Sequence, residues 1–151
     1  ARANRFSRTP AALAEYLGST RGTVSQTLIA LEQKGHVTRE PSPRDRRSIM
    51  LELTPAGAQA LKHDPILALA ADLEGAAPGQ LEAVVEVLRR TLHAIITRNG
   101  GRAFGACYTC RHFRKGEGSG RGTPHQCALL DEPLSEADSR AICVEQTPSA
   151  A

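Results

Sequence analysis

The chain of 151 residues is long enough for one domain and an appendage. Hydrophobic residues make up 40% of it and aromatic residues only 3%, so we expect an aliphatic core. No apolar run approaches the roughly 18 residues of a membrane span, which excludes a transmembrane helix. No signal peptide is recognisable, so we expect a cytoplasmic protein, trimmed at its N-terminus because it begins with Ala1.

The net charge of +3 is unevenly distributed along the chain. Residues 1–54 contain nine Lys or Arg and five Asp or Glu. Residues 55–98 contain four basic and five acidic residues, and residues 99–151 contain six of each. The positive excess lies in the first third, which is typical of a part that contacts nucleic acid. On charge alone, an ordinary basic surface is the alternative.

Two helices are predicted at the start of the chain. Thr9 and Pro10 are typical of a helix N-terminus, and Gly18 is typical of a helix end. Thr20 can cap a second helix, which Gly35 is positioned to end. Apolar residues recur at helical spacing along this second helix and predict its buried stripe: Val24, Leu28 and Leu31.

The next segment predicts a two-stranded wing. Residues 37–40 and 48–53 are the expected strands, and the turn over residues 41–47 is rich in proline and carries three arginines. Thr54 and Pro55 then start a third helix, expected to run to about residue 74. The order helix, helix, strand, basic turn, strand, helix is that of a winged helix-turn-helix. Arginines at the tip of a wing suit contact with phosphate or a minor groove.

A long helix is predicted over residues 80–98, after a break at residues 75–79. We expect its wide apolar face to be shared with the preceding helix and with a partner chain: Leu81, Val84, Val85, Leu88, Leu92, Ile95 and Ile96. The fold class is therefore mainly α with a small β-wing. We expect residues 1–98 to form a winged helix-turn-helix with dimerisation helices, and residues 99–151, which contain all four cysteines, to form a metal-stabilised extension.

Several of these segments carry a family resemblance. The sequence over residues 6 to about 97 is similar to the MarR family of bacterial transcription regulators, in particular at residues 13–18, 23–25, 31–39, 41–48 and 53–57. The strongest part is an Asp-x-Arg wing followed by Leu-Thr-Pro-x-Gly. The resemblance implies a homodimer on double-stranded DNA, with each second helix in the major groove and each wing against the minor groove.

The resemblance also implies roles for individual residues. Asp45 and Arg47 match the Asp-x-Arg of the wing, so Arg47 is expected at the minor groove with Asp45 holding it. Arg44 and Arg46 are expected to contact phosphates.

The recognition helix contributes a second group of predicted DNA contacts: Thr20, Arg21, Gly22, Ser25 and Gln26. Glutamine can read adenine with two hydrogen bonds, and Arg21 can reach guanine or phosphate. A solvated helix face is the alternative for Ser25 and Gln26.

The chain departs from the family in two respects. The family has a long helix before the first one found here, so either the chain starts late or the dimer is built mainly from residues 81–96. The C-terminal cysteines are not part of the common family pattern.

Four cysteines lie in the extension at Cys107, Cys110, Cys127 and Cys143. The first two form a Cys-x-x-Cys pair, with which a tight turn can hold one metal ion. Two structural disulfides are not expected in a cytosolic protein. Because the extension has few large apolar residues, we expect metal binding to supply its folding energy.

The spacing leaves the cofactor open between a 4Fe–4S cluster and Zn²⁺, in one site of four thiolates. A zinc ribbon ends in a second Cys-x-x-Cys, which is absent here. The pair followed by Phe113 resembles the small iron–sulfur subunits of some glycyl-radical enzymes. His125 is an alternative ligand, His112 is a neighbour of the site, and a redox thiol pair or an unmetallated tail is the third possibility.

The leading hypothesis is a dimeric repressor that responds to redox state, metal or a small effector. An alternative is a regulator induced by a small organic acid or phenol, with a purely structural zinc tail. A third, from another class, is an iron–sulfur accessory protein, against which the arginines of the wing argue. No paired carboxylates, activated nucleophile or phosphate-binding loop is recognisable, so we do not expect an enzyme.

Overall fold

The first two helices begin where the sequence predicts. The structure is a computed structural model that describes residues 1–42, 47–101 and 104–149. Helix α1 spans Pro10–Leu17 and helix α2 spans Arg21–Gln33. The side chain of Thr9 accepts a hydrogen bond from the Ala12 N–H, and that of Thr20 accepts one from the Thr23 N–H. Both predicted N-caps are therefore confirmed.

The predicted wing is also present. Strand β1 (Val37–Pro41) pairs antiparallel with strand β2 (Ile49–Leu53). The backbone N–H of Ser42 donates to the carbonyl oxygen of Ser48 at 2.8 Å, which closes the base of the turn. The tip of the turn, including Arg44, Asp45 and Arg46, lies outside the described residues.

A small aliphatic core joins the helices to the wing. Ala14, Val24 and Leu28 are buried together, and Leu13 and Leu51 pack against them. Leu28 is only 2% exposed. These residues come from α1, α2 and β2, so the core fixes the second helix relative to the wing.

The third predicted helix is divided in two. Helix α3 spans Pro55–Ala60, a single 3₁₀ turn follows, and helix α4 spans Pro65–Ala76. The prediction of one helix to about residue 74 is wrong because Asp64 and Pro65 start a new helix. The Asp64 carboxylate accepts a hydrogen bond from the Ile66 N–H at 3.0 Å, and Pro65 disfavours helical backbone in the residue before it.

Helix α5 (Leu81–Arg98) agrees with its prediction. Neither α4 nor α5 contains a buried residue. Their exposed large apolar side chains are Ile66, Leu67 and Leu69 in α4, and Val85, Val87, Leu88, Leu92 and Ile95 in α5. In the part of the chain that the structure describes, no helix is long and apolar enough to cross a membrane.

The extension contains regular structure that the sequence did not predict. Strands β3 (Gly105–Ala106) and β7 (Ile142–Cys143) pair antiparallel. Strands β4 (Phe113–Arg114), β5 (His125–Cys127) and β6 (Glu132–Leu134) form a second small sheet in that order. Helix α6 (Glu136–Arg140) begins with a capping box between Ser135 and Asp138.

Residues 2–8, here called the arm, attach the extension to the winged helix. The Asn4 N–H donates to the Ile142 carbonyl oxygen, and the Ile142 N–H donates to the Arg2 carbonyl oxygen, both at 2.8 Å. At the other end of the arm, the Leu51 N–H donates to the Arg8 carbonyl oxygen at 2.7 Å. The arm therefore hydrogen-bonds both to β7 of the extension and to β2 of the wing.

Gly57 and Gly75 both lie in helices, and the same substitution is expected to have opposite effects at the two positions. A Cβ at Gly57 would lie 2.0 Å from the carbonyl oxygen of His36, whereas nothing lies within 4 Å of one at Gly75. We expect Gly57→Ala to lower the free energy of unfolding by about 1–3 kcal/mol through overpacking. Gly75→Ala should raise it by about 0.5–1 kcal/mol. Urea denaturation measures both, and equal effects would contradict the close packing of α3 against His36.

Candidate nucleic-acid interface and cysteine cavity

The start of α2 is organised by Thr20. Its Oγ1 accepts the Thr23 N–H at 3.1 Å and shares a second hydrogen bond with the Thr23 Oγ1 at 2.9 Å. Thr20, which the sequence predicts as a DNA contact, thus already serves as the helix cap. The cap satisfies a backbone N–H of the first turn and so stabilises the end of α2 that carries the predicted DNA contacts.

The predicted recognition residues form one accessible surface. Arg21, Gly22 and Gln26 are exposed, and Ser25 is half-buried. A Cβ at Gly22 would meet only the Thr20 Oγ1, at 3.8 Å, so the glycine leaves the surface open rather than filling a tight contact. Whether these residues touch DNA remains a prediction.

Arg39 ties the wing to α2, and the sequence analysis missed it. Its Nε lies 3.2 Å from a carboxylate oxygen of Glu32, and a terminal nitrogen donates to the Ser25 carbonyl oxygen at 3.5 Å. Arg39 shares an inward position of β1 with Val37. Side chains alternate between the two faces of a strand, so Arg39 lies on the same face as Val37. This pattern could have indicated a contact between Arg39 and the neighbouring helix.

The basic tip of the wing is described only in part. Arg47 is exposed, in the turn just before β2. The contact between Asp45 and Arg47 involves a residue outside the described part of the chain, so it stays a prediction.

The four cysteines line one small cavity in the extension, together with His112, Phe113 and Leu134 among others. The cavity has a volume of about 20 Å³, which is room for a single small species. Cys107 and Cys143 are buried, whereas Cys110 and Cys127 are half-buried. None of the four forms a disulfide. The cysteine positions thus converge, as the predicted single site requires.

Three of these sulfurs accept hydrogen bonds from N–H groups. The Asn4 Nδ2 donates to the Cys107 Sγ at 3.2 Å, and the Thr147 backbone N–H donates to the Cys110 Sγ at 3.4 Å. The Glu145 backbone N–H donates to the Cys143 sulfur. Asn4 is only 1% exposed, so its side chain is committed to this site.

Cys143 is the more acidic member of the buried pair. The hydrogen bond from the Cys107 thiol lowers the pKa of Cys143 to about 6. The same hydrogen bond, with burial, raises the pKa of Cys107. A low pKa favours the thiolate, which is the form that binds metal.

No three His, Cys, Asp or Glu side chains within residues 1–42, 47–101 and 104–149 are already arranged as a metal site.

Hydrogen bonding disfavours His125 as an alternative metal ligand. The Nδ1 of His125 accepts the Gly116 N–H at 3.2 Å, and its Nε2 lies 2.9 Å from a Glu136 carboxylate oxygen. Both ring nitrogens are therefore engaged, which leaves neither free for a metal.

Comparison with known proteins finds similarity in the N-terminal part. Residues 1–48 match the model of the MarR family. A putative transcriptional regulatory protein for the hcr operon of Thauera aromatica is 39% identical over 59 residues, which cover 39% of this chain and 36% of that protein. MarR regulators are non-enzymatic DNA-binding proteins, which agrees with the prediction that the chain is not an enzyme.

Two solved structures have partly similar folds. The regulator BldR of Sulfolobus solfataricus is 28% identical, with a TM-score of 0.47 over 60% of this chain and 63% of that one. Streptococcus pneumoniae FabT, solved with DNA, is 28% identical, with a TM-score of 0.48 over 60% of this chain and 64% of that one. The chain thus spans about a third of the curated relative and under two thirds of these structures.

Substitution of Thr20 tests its role as the cap of α2. Thr20→Ala removes the acceptor of the Thr23 N–H, so we expect the free energy of unfolding to fall by about 1 kcal/mol. Thr20→Ser keeps the hydroxyl and should retain most of that stability. Urea denaturation compares the two variants with the unsubstituted chain. A serine variant as unstable as the alanine variant would mean that the hydroxyl is not the stabilising group.

Proposed function

We propose that the chain is a DNA-binding transcriptional regulator in which α2 enters the major groove and the wing contacts the adjacent minor groove. The observation that carries the proposal is the pairing of an exposed polar start of α2 with an exposed arginine, Arg47, at the wing. Both lie within residues 1–48, the segment that matches the MarR family.

The residues of α2 fit base recognition. Gln26 is exposed on the second turn and can read adenine, and Arg21 on the first turn can reach guanine or phosphate. Ser25 and Gly22 let the helix approach the base edges closely. An α-helix fits the width of the major groove of B-DNA.

The wing would contact the backbone and minor groove through Arg47, with Arg44 and Arg46 on phosphates and Asp45 holding Arg47. Arg39 supports this proposal because its contacts with Glu32 and Ser25 join β1 to α2. A wing fixed to the recognition helix reaches DNA in the same docking event, without a separate ordering cost.

We further propose a homodimer. Eight large apolar side chains of α4 and α5 are at least 40% exposed in the single chain. A second copy of the same two helices would cover them with a matching surface, as a two-fold interface requires. Two recognition helices would then meet half-sites about one DNA turn apart, on successive major grooves.

The regulatory signal is proposed to be metal or redox state, read by the cysteine cavity.

A small organic acid or phenol is the second candidate. It is favoured by a cavity of about 270 Å³ between the arm, α1, α2 and the wing strands, lined by Leu13, Leu28, Leu51 and Arg8 among others. Calorimetric titrations with benzoate and with phenol test this second candidate, and the absence of heat with both would count against it.

An iron–sulfur accessory protein is the alternative from another class. Such a protein would need no affinity for duplex DNA. Salt-dependent binding to duplex DNA therefore separates the two proposals, because neutralising phosphates releases counterions.

Arg47→Ala and Gln26→Ala are expected to weaken DNA binding in different ways. Arg47→Ala should lower affinity for all duplexes and reduce the slope of log affinity against log salt by about one. Gln26→Ala should relax preference at one base pair, by about 1–3 kcal/mol. Fluorescence anisotropy with a duplex selected from a random pool measures both, at several salt concentrations.

The matched control is Gln33→Ala, which makes the same change on the same helix roughly 10 Å farther from its start. It should bind like the unsubstituted chain. Unsubstituted protein without salt-dependent duplex binding would refute the proposed function. Loss of helical circular dichroism in Arg47→Ala would make Arg47 a structural residue instead.

Leu88→Asp is expected to convert the dimer into a monomer. The charge would be buried at the proposed interface without a partner, since Leu88 lies on the apolar face of α5. Thr97→Asp is the control because Thr97 is exposed and lies on the opposite side of α5 from Leu88, at about 100° per residue. Light scattering after size-exclusion chromatography reports the mass. A monomeric unsubstituted chain would contradict the proposed interface.

A further inference from the structure

Three separate segments bring sulfur to one point of the extension. Cys107 begins a 3₁₀ turn (Cys107–Thr109) before β4 and Cys110 follows that turn, whereas Cys127 ends β5 and Cys143 ends β7. The Cys107 backbone N–H donates to the Ala141 carbonyl oxygen at 3.3 Å, which draws the first and last segments together. All four side chains line the same cavity of about 20 Å³.

N–H donors point at three of the four sulfurs. Cys107, Cys110 and Cys143 each accept a hydrogen bond from an N–H group. Such donors stabilise negative charge on sulfur and orient it, as the outer partners of metal ligands do. One donor, the buried Asn4 side chain, reaches the site from 103 residues away along the chain.

We propose that Cys107, Cys110, Cys127 and Cys143 together bind one thiophilic metal centre, and that the arm connects this centre to the wing. Each thiol loses its proton on binding: M²⁺ and four RSH give [M(SR)₄]²⁻ and four H⁺. A 4Fe–4S cluster would use the same four thiolates, but because the cavity has a volume of only about 20 Å³ it would also have to widen. Because the thiols are not yet at coordination distances, binding must draw them closer, which is the usual coupling of metal binding to folding.

The connection to the wing follows the hydrogen bonds of the arm. Asn4 bonds to Cys107 and Ile142, and the Ser7 Oγ accepts the Val144 N–H at 3.0 Å. Four residues after Asn4, the guanidinium of Arg8 lies 3.0 Å from a carboxylate oxygen of Glu52 in β2. A metal centre that orders the extension therefore also restrains, through the arm, the edge of β2 that does not pair with β1. The connection to the wing rests on the proposed function in one respect, which is that the wing contacts DNA.

Metal content and thiol protection of the full chain test the site directly. The chain is purified anaerobically, analysed for zinc, iron and sulfide, stripped with a chelator, and titrated with Zn²⁺ or Co²⁺ or reconstituted with iron and sulfide. We expect one centre per chain and protection of all four cysteines from alkylation, measured by mass spectrometry. One zinc per chain identifies a single ion, and four irons with sulfide identify a cluster. Failure to bind any of these, or any cysteine still fully alkylated in the bound form, would overturn the proposal.

Asn4→Ala tests the positioning role of Asn4. We expect roughly 10–100-fold weaker metal binding and a shifted thiolate-to-cobalt absorption band in the Co²⁺ form. Arg5→Ala is the control, because Arg5 contacts Asp138 and the Pro133 carbonyl oxygen rather than sulfur. It should loosen the arm without moving the band. An unchanged band and affinity in Asn4→Ala would show that Asn4 does not act on the centre.

Hydrogen exchange tests the connection to the wing without DNA. The amides of Asn4, Ile142 and Leu51 bridge the extension, the arm and β2. We expect their exchange to be slower with metal bound than after chelation, whereas the amide of Val24 in α2 should not change. Equal exchange at Leu51 in both forms would refute the connection. Since no DNA is used, this result stands apart from success or failure of DNA binding.

Discussion

Asn4 makes the contacts on which the arrangement of the whole chain depends. Its side-chain oxygen accepts the N–H groups of Phe6 and Ser7 at 3.1 and 2.9 Å, its Nδ2 donates to the Cys107 Sγ, and its backbone N–H bonds to Ile142. These bonds satisfy a side chain that is almost completely buried, and loss of one would leave a buried polar group costing about 1–3 kcal/mol. The turn that they form leads into Thr9 and helix α1, so one residue links the start of the winged helix to the cysteines.

The wing is consequently held from two sides. Arg39 joins β1 to helix α2, and Arg8 joins the arm to β2 through Leu51 and Glu52. A two-stranded ribbon is only marginally stable alone, so these attachments determine its angle to α2. On the proposed function, a change in the extension would reach the wing through the arm and leave the exposed face of α2 unchanged.

The family match ends at residue 48, and the extension lies far beyond it. The arm, residues 2–8, to which the extension is hydrogen-bonded, nevertheless lies within the matched segment. The extension is therefore physically continuous with the proposed DNA-binding part, although strand β2 and helices α3, α4 and α5 separate the two in sequence. Helices α4 and α5 contribute no buried residue to either part, and their apolar surfaces are available to a second copy.

The sequence by itself determined the features that depend on neighbouring residues. Threonine caps at Thr9 and Thr20, and the strands of the wing, follow from local hydrogen bonds and alternation. The spacing of the cysteines predicted one metal site, which stays a prediction, and did not indicate which segments bring the four cysteines to one cavity. Asp64 and Pro65 were a local signal that the analysis overlooked. Only the tertiary structure decided the roles of Asn4 and Arg39, because their partners lie elsewhere in the chain and a hydrogen bond between distant residues leaves no periodic pattern in the sequence.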